Sequence, residues 1–459
     1  MIINKLDNVE INLENGHKYA RTDISKGENV IKYGCPIGHA VCDIKKGEHV
    51  HVHNLKTNLA GSLTYTYQYK DYGILPQNCD KIFMGYRREN GDVGIRNEIW
   101  IVNTVGCVNK IAQKLAEKTG AHAFPHPYGC SQLGEDQKIT QKILCGMVNH
   151  PNAAGVLVLG LGCENNNMKV FKEVLGIYNE KRVKFLNCQD AENEIAEGIR
   201  LIEKLKEYAT GFTREPISLS ELRVGLKCGG SDGYSGITAN PLVGSFSDLL
   251  TSFGGSCILS EVPEMFGAEQ LLMERCETEE VFEKTVSLIN NFKDYYNSHN
   301  QVIYENPSPG NKEGGISTLE EKSLGCVQKG GLSKVVDVLD YGDTVRKAGL
   351  SLLNGPGNDM VAVTNLMATG AHLILFTTGR GTPLGSAVPT VKIATNHKLF
   401  ERKASWVDFD SSPLLGKKSM KELTDDLISY VIKVASGKET KNETNDYREI
   451  SIFKDGVTL

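Results

Sequence analysis

Gly155-Val-Leu-Val-Leu-Gly160 sets four apolar side chains between two glycines, and its reading decides the fold. A run this short, apolar throughout and bounded by glycine, reads as a strand covered on both faces. The segments around it alternate in the same way. Upstream lie a strand-like run at 98–105, an amphipathic helix at 108–118 closed by Gly120, and a helix at 139–149 stopped by Pro151. Downstream come a helix at 168–179, a strand at 183–188 and a long helix at 191–208. Alternating strands and helices imply a parallel sheet covered by helices. Residues 213–220 read as a linker. Beyond them the alternation resumes, with strands at 223–228, 256–261, 372–376 and 388–394. Helices are expected at 241–253, 268–276, 279–297, 359–368 and 421–435, and an exposed polar loop at 306–315.

The first 70 residues differ. Short alternating stretches at 9–13, 29–33, 48–53 and 63–69 are separated by turns such as Lys26-Gly27 and Lys46-Gly47, the pattern of a small β domain. Residues 70–80 carry turn formers without a period and read as a linker. The expected architecture is therefore multidomain: an N-terminal β-rich domain (1–72), a middle α/β domain (81–212) and a C-terminal α/β domain (220–459), both with largely parallel sheets.

Composition narrows the function. The 459 residues are 40% hydrophobic and 23% charged, ordinary for a soluble globular protein. A net charge of −5 argues against nucleic acid as a partner. No apolar run approaches the ~18 residues of a membrane span, and the start lacks the apolar core of a secretory signal. A cytoplasmic protein without a membrane partner is expected. Its 12 cysteines are then reduced thiols, and no Cys-x-x-Cys pair occurs, which excludes a local zinc ribbon or thioredoxin-type site. The 47 glycines point to many tight loops.

Four groups of residues could carry chemistry. In Glu48-His-Val-His-Val-His53 a strand would place His49, His51 and His53 on one face, about 6–7 Å apart. Imidazoles so spaced can converge on one metal ion, and His17 and His39 in the same domain could complete the site. The bland alternative is a solvated strand face. Cys107, Cys130, Cys163 and Cys228 follow strands or sit in glycine-containing loops, where open α/β sheets bind ligands. They could bind iron or line a pocket, or be small buried hydrophobes. Two glycine-rich loops, 228–236 and 378–386, offer backbone amides to an anion, and Arg380 adds a guanidinium that grips a carboxylate. Neither contains the Gly-Lys-Ser/Thr of a P-loop. Gly160-Leu-Gly-Cys-Glu-Asn165 imitates a dinucleotide fingerprint but has Asn165 where the third glycine belongs. Finally, Arg87, Arg88, Arg96 and Asn97 bracket an expected Asn-Gly turn, either as a solvated hairpin or as contacts to an acidic substrate.

These motifs together resemble the altronate/galactarate dehydratase family. The resemblance is carried by Gly16-His-Lys18, Asn29-Val-Ile-Lys-Tyr-Gly-Cys-Pro-Ile-Gly-His-Ala40, His51-Val-His-Asn-Leu-Lys-Thr-Asn58, Phe83-Met-Gly-Tyr-Arg-Arg88 and Gly94-Ile-Arg-Asn-Glu98. It continues through Thr104-Val-Gly-Cys-Val-Asn109, His126-Pro-Tyr-Gly-Cys-Ser-Gln132, His150-Pro-Asn-Ala-Ala-Gly155 and Gly160-Leu-Gly-Cys-Glu-Asn165. Lys227-Cys-Gly-Gly-Ser-Asp-Gly233, Gly379-Arg-Gly-Thr-Pro-Leu-Gly385 and Pro389-Thr-Val-Lys-Ile-Ala394 complete it. The resemblance implies an N-terminal domain of the SAF type, dehydration of a sugar acid such as D-altronate to 2-dehydro-3-deoxy-D-gluconate, and dependence on Fe²⁺, with Mn²⁺ as a substitute. The histidine-rich segment looks like the altronate branch. The chain is shorter than typical members between Asn8 and Gly16, which puts the early strand pairing in question.

Such a reaction removes a weakly acidic C2 proton and expels the C3 hydroxyl, so it needs a metal, a base and an acid. By residue type, His17, His49, His51 and His53 are the expected metal ligands. Arg380, Gly381 and Thr382, with Arg87, Arg88, Arg96 and Asn97, are the expected substrate contacts. The base is His39, His126 or Lys392. A homo-oligomer is compatible with all of this. Galactarate dehydration, sulfite elimination from sulfolactate, and sugar-acid binding without turnover are the alternatives, and iron on the cysteines is the rival metal site.

Overall fold

The computed structural model describes residues 1–59 and 63–459. Its largest element is a parallel seven-stranded sheet. The strand order is Val335–Leu339, Gly349–Leu353, Ser256–Leu259, Arg223–Cys228, Leu373–Thr378, Thr390–Ala394, Phe409–Asp410. Chain order reverses between Arg223–Cys228 and Leu373–Thr378. At such a switch point the loops leaving neighbouring strands diverge and open a crevice for ligands. Both glycine-rich loops leave the sheet there.

The middle sheet is also parallel, ordered His122–Ala123, Glu98–Asn103, Ala153–Gly160, Val183–Asn187. Every residue of Ala153–Gly160 is buried. Alternation along Glu98–Asn103 explains how. Trp100 and Val102 face a core shared with Met147, Leu366 and Phe376. Ile99 and Ile101 face a second core with Leu115, Leu201 and Leu205. The helix Asn109–Thr119 ends at Gly120, whose φ of 73° is the left-handed cap that glycine adopts at low cost.

The N-terminal domain is two three-stranded sheets. Val9–Ile11 pairs antiparallel with Lys18–Ala20, so the shortened segment closes as a compact turn with the pairing intact. Its core of Val30, Ile37, Val50 and Leu55 is continuous with that of the C-terminal domain.

Several expectations are corrected. Residues 63–69 form no strand. They run as an extended strap across the C-terminal domain, where Tyr65 Oη donates to Glu269 Oε1 at 2.5 Å and Tyr67 Oη to the Cys276 carbonyl at 3.0 Å. The expected linker at 213–220 contains the strand Glu215–Ser218, paired antiparallel with Ile82–Arg87. The expected loop at 306–315 contains the helix Pro309–Glu313, capped by Ser308 and docked through Asn311. The strands Val335–Leu339 and Gly349–Leu353 are additional to those expected, although Gly330-Gly331, Asp340-Tyr-Gly342-Asp343 and Asn354-Gly-Pro-Gly357 bound them with turn formers.

Candidate functional site

The histidine strand stops early. Only His49–Val50 pairs, with Lys18–Ala20, and residues 51–54 form a turn. Asn54 holds that turn: its Oδ1 accepts from the His51 N–H at 2.9 Å and its Nδ2 donates to the His49 carbonyl at 2.9 Å. The turn gathers the rings more closely than a strand face would. His49 lies 5.4 Å from His51 and 5.7 Å from His53, and His17 lies 5.1 Å from His49 and 5.5 Å from His51, between ring centroids.

Glycine brings this cluster onto the C-terminal domain. A Cβ on Gly233 would stand 1.9 Å from the Gly16 carbonyl oxygen, and one on Gly315 would stand 2.8 Å from it. Only backbones without side chains approach this closely. The contact sets His17 Nε2 3.2 Å from the Glu313 carbonyl and His51 Nδ1 2.7 Å from Ser317 Oγ. Beneath them Lys18 and Lys32, both buried, converge on the buried Glu321 carboxylate at 2.8 and 2.7 Å. Burial opposes ionisation of Glu321, but the two ammonium groups outweigh it and pull its pKa down to about 2. Burial, with Lys32 adding repulsion, holds Lys18 down to about 8.

Burial, then Lys18, lowers His51 to about 4, and burial, then His17, lowers His49. Both rings are therefore neutral near pH 7, the form that ligates metals. His17 Nδ1 and His49 Nε2 stand 3.0 Å apart. That separation is a hydrogen bond between the two rings, and it is also close enough for both nitrogens to meet one divalent cation after a small adjustment, since tetrahedral ligands about 2.1 Å from an ion are roughly 3.4 Å apart.

A cleft of about 580 Å³ opens at the switch point, lined by Cys228, Gly230, Glu264, Asn311, Lys322 and Asp359 among others. The helix Pro309–Glu313 separates it from the histidines: Asn311 and Lys312 face the cleft, and the Glu313 carbonyl meets His17. Arg380 stands against the helix Pro309–Glu313, between the two. Its side chain is 43% exposed and bonds Glu313 at 3.0 Å, and a Cβ on Gly310 would touch it.

At the floor of the cleft Cys228, Glu264 and Cys326 are the one group of three ligand-type side chains, among the described residues, whose donor atoms all lie within 4.8 Å. Sγ of Cys228 is 3.4 Å from that of Cys326, and Glu264 Oε2 is 3.2 and 3.0 Å from the two sulfurs. Three buried lysines share the chamber. Lys329 Nζ lies 3.1 Å from Cys228 Sγ, Lys322 pairs with Glu264 at 2.8 Å, and Lys227 pairs with Glu261 and with Asp359. These ammonium groups are matched by the carboxylates of Glu261, Glu264 and Asp359, so the chamber carries little net charge while both thiols keep their protons. Among the described residues no three histidines bring their ring nitrogens that close together, although His17 and His49 form a close pair.

The other expected residues separate. Arg96 is buried with its donors taken by Glu443 and the carbonyls of Ile95, Val434 and Lys438. Arg88 bonds the Pro151 and Arg96 carbonyls and Asn97, whose amide in turn bonds the Ala209 carbonyl. Arg87 pairs with Glu215 and Glu221. Arg96 and Arg87 tie the middle domain to the C-terminal domain, and Arg88 and Asn97 brace the middle domain internally, so the donors of all four are engaged within the protein. His126 is buried with Nε2 2.8 Å from the Asn103 carbonyl and Nδ1 accepting from the Tyr128 N–H, so neither nitrogen is free to act as a base. His39 pairs with Asn58 on a strand outside the histidine cluster. The glycine-rich loops lie side by side, but their amides turn inward. Gly379 and Arg380 donate to the Gly230 carbonyl, Gly381 to Thr378 Oγ1, and Thr382 Oγ1 accepts from Leu384. Arg380 keeps an exposed guanidinium, whereas Gly381 and Thr382 shape its loop. Lys392 is buried under that loop with Nζ 2.8 Å from the Pro383 carbonyl, and burial lowers it to about 8. Cys228 stands apart from the exposed Cys107, Cys130 and Cys163.

Sequence reasoning missed Ser317, Glu321, Glu264 and Cys326. Glu261 and Glu264 could have been flagged as acids just past the strand Ser256–Leu259, at the ligand-binding edge of the sheet. Nothing local marks the other three.

A β domain that presents histidines to the switch point of an α/β domain, beside an exposed arginine, defines an enzyme for a small anionic substrate. The chain belongs to the galactarate/altronate dehydratase family. Residues 2–58 match the altronate/galactarate dehydratase SAF domain, residues 85–210 the second domain of D-galactarate dehydratase/altronate hydrolase, and residues 219–458 the C-terminal domain of D-galactarate/altronate dehydratase. It is 55% identical to altronate dehydratase of Escherichia coli over 97% of this chain and 92% of that protein. It is 54% identical to altronate dehydratase of Bacillus subtilis, over 98% and 93%. Identity to the L-threo-forming galactarate dehydratase of Escherichia coli is 33%, over 92% and 86%. No helix among the described residues is long and apolar enough to cross a membrane.

Proposed function

We propose that this chain is a hydro-lyase that removes water from D-altronate to give 2-dehydro-3-deoxy-D-gluconate, with the sugar acid held between the histidine cluster and the switch-point cleft. The observation that carries the reading is the seating of His17 and His51 against residues 313–317, where Glu313 also bonds Arg380. The likeness to two altronate dehydratases over nearly the whole chain supports altronate over galactarate.

His17, His49 and His51 would hold a divalent metal, Fe²⁺ or Mn²⁺, with His53 at the edge. When bound, it supplies Lewis acidity toward the carboxylate and C2 hydroxyl, which raises the acidity of the C2 proton. Ser317 fixes the His51 ring by bonding its Nδ1, and Lys18 fixes Ser317. Arg380 pairs with the substrate carboxylate in place of Glu313. Lys392 is the candidate base for the C2 proton: burial lowers its amine to about 8, which suits the task, but its Nζ is held by the Pro383 carbonyl and must leave it to reach the substrate.

The test is turnover of D-altronate by the purified chain with added Fe²⁺, followed as 2-keto acid. His51→Ala should retain the fold, bind less metal and lose activity. Full activity of that variant would remove the metal from the histidines.

A further inference from the structure

Three exposed cysteines of the middle domain are used by no step above. Each directly follows a glycine: Gly106-Cys107, Gly129-Cys130 and Gly162-Cys163. Each also follows one of three neighbouring parallel strands, Glu98–Asn103, His122–Ala123 and Ala153–Gly160. They therefore emerge from one edge of one sheet.

Their loops are tied to each other. The Gly106 N–H donates to the Tyr128 carbonyl at 2.8 Å, and the Asn166 N–H donates to the Gly129 carbonyl at 3.0 Å. Asn166 Nδ2 reaches the Thr104 carbonyl at 3.1 Å, and Thr104 Oγ1 donates to Glu164 at 2.7 Å. Glycine is required for this approach: a Cβ on Gly129 would lie 1.9 Å from the Thr104 carbonyl oxygen, and one on Gly106 2.7 Å from that of His126. Two residues from Cys130, Gln132 is buried and its Nε2 has no hydrogen-bond partner. An orphaned buried donor costs roughly 1–3 kcal/mol unless something accepts from it. The end of the fourth strand carries Cys188, but this thiol packs against the apolar layer and burial pushes it up to about 11.

We propose that Cys107, Cys130 and Cys163 hold an iron–sulfur cluster of the four-iron kind through three thiolates, leaving its fourth iron open to an oxygen ligand. Thiolates are the usual protein ligands of such clusters. Each thiol loses its proton on binding iron. Two ferrous ions, two ferric ions and four sulfides make the core with charge +2, so assembly from that mixture needs no further oxidant. The proposal goes beyond the histidine site and is independent of it.

The full chain is incubated without oxygen with ferrous and ferric iron, sulfide and a dithiol, and then desalted. Wild type should retain about four acid-labile sulfides per chain, and about four iron beyond any held at the histidines, with broad visible absorption. Cys107→Ser, Cys130→Ser and Cys163→Ser should each lower retained sulfide several-fold. Cys42→Ser, an exposed thiol of the N-terminal domain, should retain it in full. The substitutions are at exposed positions, and circular dichroism checks that each variant is folded. Iron retained without sulfide, or equal sulfide on the triple serine variant, overturns the cluster. Sulfide is read without turnover, so its absence refutes the cluster while altronate dehydration is decided by its own assay.

Discussion

Glu321→Gln is the change that most directly tests how the site is assembled. The substitution keeps the side-chain shape and removes the one carboxylate between Lys18 and Lys32, leaving two buried ammonium groups without a counter-charge. Breaking a buried ion pair by removing one partner costs about 3–5 kcal/mol. The acid arm gives the same scale. The pKa of Glu321 falls from 4.5 to about 2 on folding, and 1.36 kcal/mol per unit makes the contribution on the order of 3 kcal/mol. Because the folded pKa is the lower one, that stability is present in full above about pH 4.5 and is lost as pH falls toward 2. The loss should fall on the docking of the N-terminal domain, since both lysines belong to it and Glu321 to the helix Leu319–Cys326. Urea unfolding should show the deficit at pH 7, and the wild-type decline between pH 4.5 and 2 should be shallower in the variant. Trypsin should cut faster at Lys70 or Lys81, between the strap and the strand Ile82–Arg87. A variant within about 1 kcal/mol of wild type and cut no faster would refute the reasoning.

Other perturbations probe single links. Gly233→Ala forces a methyl group against the Gly16 carbonyl, so it should destabilise by a few kcal/mol and release the histidines, seen as a lower melting temperature with weaker metal retention. If neutral Lys392 takes the C2 proton, kcat/KM should rise roughly tenfold as pH passes upward through about 8, and Lys392→Gln should abolish both the rise and most of the rate. A flat profile in wild type would exclude it. Arg380→Ala should raise KM for altronate by about 10- to 100-fold with an unchanged melting temperature, since truncating a charged partner costs roughly 2–3 kcal/mol and its side chain is 43% exposed. Arg96→Ala should do the reverse, lowering stability by about 3 kcal/mol and leaving KM of the folded enzyme unchanged.

The sequence by itself determined what depends on neighbours along the chain. Apolar runs and capping glycines located the strands Glu98–Asn103, Ala153–Gly160 and Arg223–Cys228, because burial on both faces requires the apolar side chains that are visible in order. It also singled out His17, His49, His51 and His53, although the reason was only half right: a turn held by Asn54, not a continuous strand, gathers them. The tertiary structure alone decided which charges meet. Arg96 and Arg380 are the same residue type in similar glycine-containing contexts, yet one is enclosed by Glu443 and three carbonyls while the other stays exposed beside Glu313. Likewise Lys18, Ser317 and Glu321 look like ordinary surface residues until the backbones of Gly16, Gly233 and Gly315 come together. Electrostatic partners are set by distance in space, and no local pattern records a contact between segments so far apart in the chain.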